Sequence, residues 1–150
     1  MAMEITKELL KHKFMEYNKL YFNNELPMCT FSYNYMRDAF GRYTTHTKNN
    51  GQKVGHIRIS KSIDLDEEMF RELLVHEMIH HYVRTIDGVF FDGFFCHGRH
   101  FVRQIKRIKK EHGLEILICS PQWHFKREKP KPMTLSLKVI NILRNKLHLF

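Results

Sequence analysis

Five consecutive residues, His76-Glu77-Met78-Ile79-His80, carry the strongest chemical signal in this 150-residue chain. On a helix, side chains four positions apart stack one turn above the other. Two imidazoles at that spacing can chelate one metal ion, and Glu77 lies beside them, near enough to reach a water on that metal. Zinc suits imidazole ligands, and three protein ligands plus water make a catalytic site. Such a metal brings its water towards a pKa of roughly 7 and polarises a scissile carbonyl. The glutamate takes the water's proton and hands it to the leaving amine. The expected chemistry is hydrolysis of peptide bonds, with Glu77 as general base and one Zn2+ per chain.

Two histidines are not enough, and the third ligand must come from further along. Residues 83 and 86 are Val83 and Ile86, which excludes the metzincin pattern of Gly and His at those places. His97 lies in Cys96-His97-Gly98-Arg99-His100-Phe101, on a loop long enough to return past the helix. His100 is its nearest competitor, and Asp87 and Asp92 are carboxylate alternatives. His81 is turned off the His76/His80 arc by about a third of a turn and reads as a core or supporting histidine.

The elements around the motif are legible in outline. Leu9, Leu10, Phe14, Tyr17, Leu20 and Tyr21 recur at helical spacing between about residues 5 and 22, and Asn23 to Pro27 ends that run. Phe31, Tyr33 and Tyr35, then Arg42 to His46, then Gly55 to Ser60 read as three short strands with a turn at Asn49-Asn50-Gly51. Asp64 with Glu67 resembles a capping box. It would open the helix holding the motif, with Leu73 walling the site one turn before Glu77. A further helix spans about Arg99 to His112 with Gly113 as its stop, and Leu114 to Cys119 reads as a short strand or a helix extension. The expected fold is α+β: an N-terminal helix, a small antiparallel sheet, the active-site helix and further C-terminal helices.

Composition bounds the rest. A hydrophobic share of 43% and a charged share of 27% are those of an ordinary globular chain. The three cysteines, Cys29, Cys96 and Cys119, form no CxxC, so neither a disulfide framework nor a cysteine zinc ribbon is suggested. No stretch approaches the ~20 apolar residues of a membrane span, and the N-terminus lacks a signal-peptide core. The expected setting is cytoplasmic, with nucleoid or nucleus as its extension, and no membrane partner.

The run from Tyr21 to about Ile118 resembles the SprT-like family. The matching pieces are Tyr21 to Pro27 (YFNNELP), Gly41 to Tyr43 (GRY), His56 to Ser60 (HIRIS), Leu73 to Val83 (LLVHEMIHHYV) and Cys96 to Phe101 (CHGRHF). The resemblance implies a zincin-type metallopeptidase core, taken as residues 1–125; beyond it Lys126 to Pro132 reads as a charged linker and Leu135, Val139, Ile140, Leu143 and Leu147 share one helical face, so residues 126–150 are expected to be a basic linker and C-terminal helix. It assigns His76, His80 and His97 to zinc and Glu77 to catalysis. It also implies a protein substrate, with family members acting on proteins associated with or crosslinked to DNA. Bacterial members usually carry a cysteine zinc ribbon after the core, where this chain has only Cys119.

A net charge of +9 favours a polyanionic partner such as single-stranded or damaged DNA. Arg103, Lys106, Arg107 and Lys110 fall on one stripe of the last core helix and are candidate contacts. Lys126, Arg127, Lys129 and Lys131 follow, near Trp123. The competing reading is a nucleic-acid-binding or scaffold protein whose zinc is not catalytic; a structural site has no need of a glutamate between its histidines.

Overall fold

The computed structural model describes residues 3–93 and 96–118. Cys119, Trp123, the basic linker and the expected C-terminal helix lie outside those residues. The order of elements is α1 (Lys7–Phe22), β1 (Thr30–Asn34), β2 (Gly41–Thr47), β3 (Lys53–Ser60), α2 (Glu67–Thr85) and α3 (Arg99–His112).

Helix α1 starts where the Thr6 hydroxyl accepts from the Leu9 N–H, and it stops at Asn23 in the left-handed region. Its inner stripe is Leu10, Phe14, Tyr17 and Tyr21. Leu20, read from sequence as part of that stripe, is exposed because it sits a third of a turn aside.

The sheet is mixed rather than antiparallel, with order β1-β3-β2. Strands β2 and β3 form the expected hairpin, closed at Lys48, Gly51 and Gln52. Strand β1 pairs with β3 in parallel, Phe31 opposite Ile57 and Tyr33 opposite Ile59. Alternation in sequence marks a strand but carries no direction, so the parallel pairing was not legible. Both helices lie on one side of the sheet: Phe14 of α1 meets Phe31 edge-on at 5.4 Å, and His81 of α2 meets Tyr43 at 5.3 Å.

Helix α2 is buried almost all round, from Met69 to Val83, which marks it as the central element. Its cap is Asp66, not Asp64: the Asp66 carboxylate accepts from the Met69 N–H at 2.8 Å. The third residue after Asp66 is Met69, so there is no reciprocal glutamate and no capping box. Asp66→Ala is expected to cost about 1 kcal/mol of stability, to be checked as a lowered midpoint in denaturant.

Helix α3 runs to Gly113, which adopts the left-handed conformation with φ 70° as expected. It has no cap from Gly98. Instead the buried Asp92 carboxylate accepts the N–H groups of His100 and Phe101, at 3.1 and 2.7 Å. Residues 114–118 are neither strand nor helix; Leu114 and Ile116 turn inward and the chain runs on past the middle of α2, where the Leu117 carbonyl meets His76.

Candidate metal centre

One helical turn separates His76 from His80, and their rings lie 5.1 Å apart. The loop after α2 brings the third imidazole to them. Cys96 turns the chain with a positive φ of 59°, and the Gly98 N–H bonds the Asp92 carbonyl at 2.6 Å. A Cβ on Gly98 would sit 2.5 Å from that carbonyl oxygen. The glycine after His97 is therefore a condition for the loop to close.

The three rings converge through the same atom. His97 Nε2 lies 3.1 Å from His76 Nε2 and 3.1 Å from His80 Nε2. Nitrogen ligands at the usual zinc distance, spaced tetrahedrally, stand about 3.3 Å apart. The His76 Nδ1 lies 2.8 Å from the Leu117 carbonyl. A carbonyl only accepts, so Nδ1 carries the proton and Nε2 keeps its lone pair for the cluster. Phe101, fully buried, packs against all three rings with centroids at 4.8, 4.6 and 4.6 Å. It gives the group an apolar floor.

Burial keeps the three imidazoles unprotonated. Burial, then the neighbouring His97, pushes His76 down to about 3. Burial, then His76 and His97, holds His80 well below the usual range. Burial takes His97 down to about 4 against the pull of the Asp92 carboxylate. All three are thus neutral imidazoles at neutral pH, the form that ligates metal. One shared proton cannot satisfy three converging lone pairs, whereas one metal ion can. The group could hold a metal ion, and its all-nitrogen donor set is compatible with zinc.

The same shifts set a pH dependence. In the unfolded chain these histidines titrate near 6.5, and in the fold His97 titrates near 4. Between those values the unfolded state binds protons that the folded state refuses, so stability rises with pH. The metal-free protein is expected to lose stability as pH falls from 6.5 towards 4, where the three histidines outweigh the opposite contribution of Glu77, and to lose some stability again as pH rises from 6.5 towards 8, where the buried Glu77 gives up its proton. Thermal melts across that range, recorded with a chelator present, check the sign.

Glu77 follows His76 on the same helix. Its carboxylate is 4% exposed and faces the start of β2. A Cβ on Gly41 would fall 2.5 Å from Glu77 Oε1 and 2.8 Å from Leu73, so a side chain there would push the carboxylate or Leu73 aside. Burial raises Glu77 to about 8, opposed by the Arg42 charge and by the Tyr43 backbone N–H.

The other sequence candidates fall elsewhere. His100 faces Asp87 at 3.3 Å, Asp87 also receives Arg103 at 2.8 Å, and Asp92 caps α3. His81 bonds the Pro27 carbonyl and the Tyr43 hydroxyl, so it ties α2 to β2. On α3, Lys106 and Lys110 are exposed, whereas Arg107 bonds the Tyr21 carbonyl, Gln104 and Glu111. Arg107 thus pins α3 to α1. Sequence reasoning missed the site roles of Phe101 and of the Leu117 carbonyl. The first was visible only as an apolar helix position, and the second has no side-chain signature at all.

Among the described residues no helix is long and apolar enough to cross a membrane. No curated protein matches the chain. The family model of the SprT-like family matches residues 10–120, which takes in the three histidines, Glu77 and Leu117.

Proposed function

The chain belongs to the SprT-like family, and from that premise we propose that it is a zinc-dependent endopeptidase acting on DNA-associated or DNA-crosslinked proteins. The observation that carries the reading is the pairing of three Nε2 atoms, 3.1 Å from His97 to each partner, with a buried carboxylate on the same helix.

His76, His80 and His97 would hold one zinc per chain. When bound, zinc supplies Lewis acidity, which acidifies water towards a pKa of about 7 and polarises the carbonyl to be cleaved. Glu77 is the proton carrier. Its burial puts it near 8, close to working pH, where a group can both accept a proton from water and return it to the leaving amine nitrogen. The Tyr43 N–H and the close approach of Gly41 hold the carboxylate in place. The apolar Phe101 and Leu73 keep bulk water from the reacting groups.

Strand β2 is an edge of the sheet and lies beside Glu77. An extended peptide can add to such an edge through main-chain hydrogen bonds. That geometry favours cleavage within an unfolded or extended segment of a protein. The net charge of +9 favours substrates that come with a polyanion.

The test is cleavage of a basic DNA-binding protein by the purified chain, with and without single-stranded DNA. The expected result is zinc-dependent cleavage, abolished by a chelator, restored by added zinc and stimulated by DNA. Stoichiometric zinc without cleavage under either condition would replace this reading with that of a scaffold.

A further inference from the structure

We propose that His81 is a positioning residue for Glu77: through the Tyr43 hydroxyl it pins strand β2 to α2, so that the Tyr43 backbone N–H stays on the buried carboxylate. The catalytic importance of the clamp rests on the peptidase reading; the clamp itself does not.

Glu77 and His81 lie one helical turn apart, so their side chains leave α2 on nearly the same side. Tyr43 of β2 meets both. Its backbone N–H serves the Glu77 carboxylate, and its hydroxyl stands 3.0 Å from His81 Nδ1. On the far side of the ring, His81 Nε2 lies 2.8 Å from the Pro27 carbonyl. A carbonyl only accepts, so Nε2 carries the proton, and in the neutral ring Nδ1 accepts from the Tyr43 hydroxyl. The ring is fully enclosed, with Phe14 at 6.2 Å. The segment between α1 and β1 thus sets the imidazole, the imidazole sets Tyr43, and Tyr43 reaches the carboxylate.

The joint is closely packed. A Cβ on Gly55 of β3 would lie 2.8 Å from His81 Nδ1 and 2.9 Å from the Tyr43 ring. The need for a clamp comes from the sheet. Strand β2 pairs with β3 alone and has a free edge, so ladder hydrogen bonds hold it on one side only. A buried carboxylate depends on the donors that reach it, and a tilt of β2 would take this one away. Any acceptor would satisfy a buried tyrosine hydroxyl. Here the acceptor sits one turn from the very carboxylate that the same residue's backbone serves.

The experiment has two readouts, both on the full chain. The first is hydrogen exchange of the amide at position 43 in the zinc-free protein, followed by NMR, with the amides of Ile57 and Ile59 in β3 as internal standards. Tyr43→Phe, which removes only the hydroxyl, is expected to speed exchange at position 43 by roughly three- to tenfold, the worth of one net hydrogen bond, and to leave the standards within about twofold. The second is steady-state cleavage. Tyr43→Phe and His81→Phe are expected to lower kcat by roughly three- to tenfold with KM and zinc content unchanged, since a misplaced proton carrier slows the step and not the binding. His81→Gln, whose amide can donate to Pro27 and accept from Tyr43, is expected to recover most of that loss. Unchanged exchange at position 43, or equal acceleration at position 43 and in the standards, would overturn the proposal, as would a kcat for His81→Gln no higher than for His81→Phe. Wild type that never cleaves protein removes the peptidase reading, and the exchange ratio then decides the clamp alone. Wild type that cleaves, with kcat and exchange indifferent to Tyr43→Phe, removes the clamp and leaves that reading standing.

Discussion

Glu77→Gln is expected to bind zinc as the wild type does and to lose hydrolysis. The amide is nearly isosteric with the carboxylate. It still fits against Gly41, where a Cβ would lie 2.5 Å from Oε1. It cannot accept a proton, and general-base catalysis of this kind contributes on the order of a hundred- to ten-thousandfold. A drop in kcat/KM of about a thousandfold, with metal content unchanged, is the expected result. Loss of zinc in this variant would mean that Glu77 acts as a ligand. Retained activity would move the base elsewhere.

His97→Ala is expected to remove the metal, whereas His100→Ala is not. His97 Nε2 sits 3.1 Å from both other ring nitrogens, and His100 faces Asp87 instead. Changing a group that merely supports a ligand typically costs 10- to 100-fold in metal affinity. Removing a ligand should exceed about 100-fold on the same scale. Zinc titration with a competing chelator resolves the two variants, and equal losses would reject His97 as the third ligand. His97→Ala should also melt at a temperature indifferent to added zinc, because a ligand stabilises only the fold that binds it.

The part of the site written at helical spacing was legible. His76, Glu77 and His80 are neighbours because the helix repeats every 3.6 residues, and nothing distant is needed to place them. His97 was not fixed by spacing alone. His100, Asp87 and Asp92 stood open beside it until the resemblance chose among them, because loop closure depends on contacts such as Gly98 to Asp92. Strand positions were read nearly to the residue, but their partners were not, since β1 skips its neighbour in sequence to pair with β3. The α2 cap was missed by two residues because Asp64 and Asp66 carry the same chemistry. Only the chain's approach to the helix decides which one meets the Met69 N–H. Least legible were the backbone contributions, the Tyr43 N–H at Glu77 and the Leu117 carbonyl at His76.

That last contact also sets an order in time. The carbonyl that fixes the His76 tautomer belongs to a residue 41 positions later in the chain. During synthesis His76, Glu77 and His80 emerge first, next His97, and Leu117 after them all. Until Leu117 docks, His76 is free to carry its proton on either nitrogen, and half of those states turn an N–H towards the other two rings. A nascent chain therefore holds an incomplete site for as long as its core is unfinished. The histidine group is complete only when α3 and the segment behind it are in place.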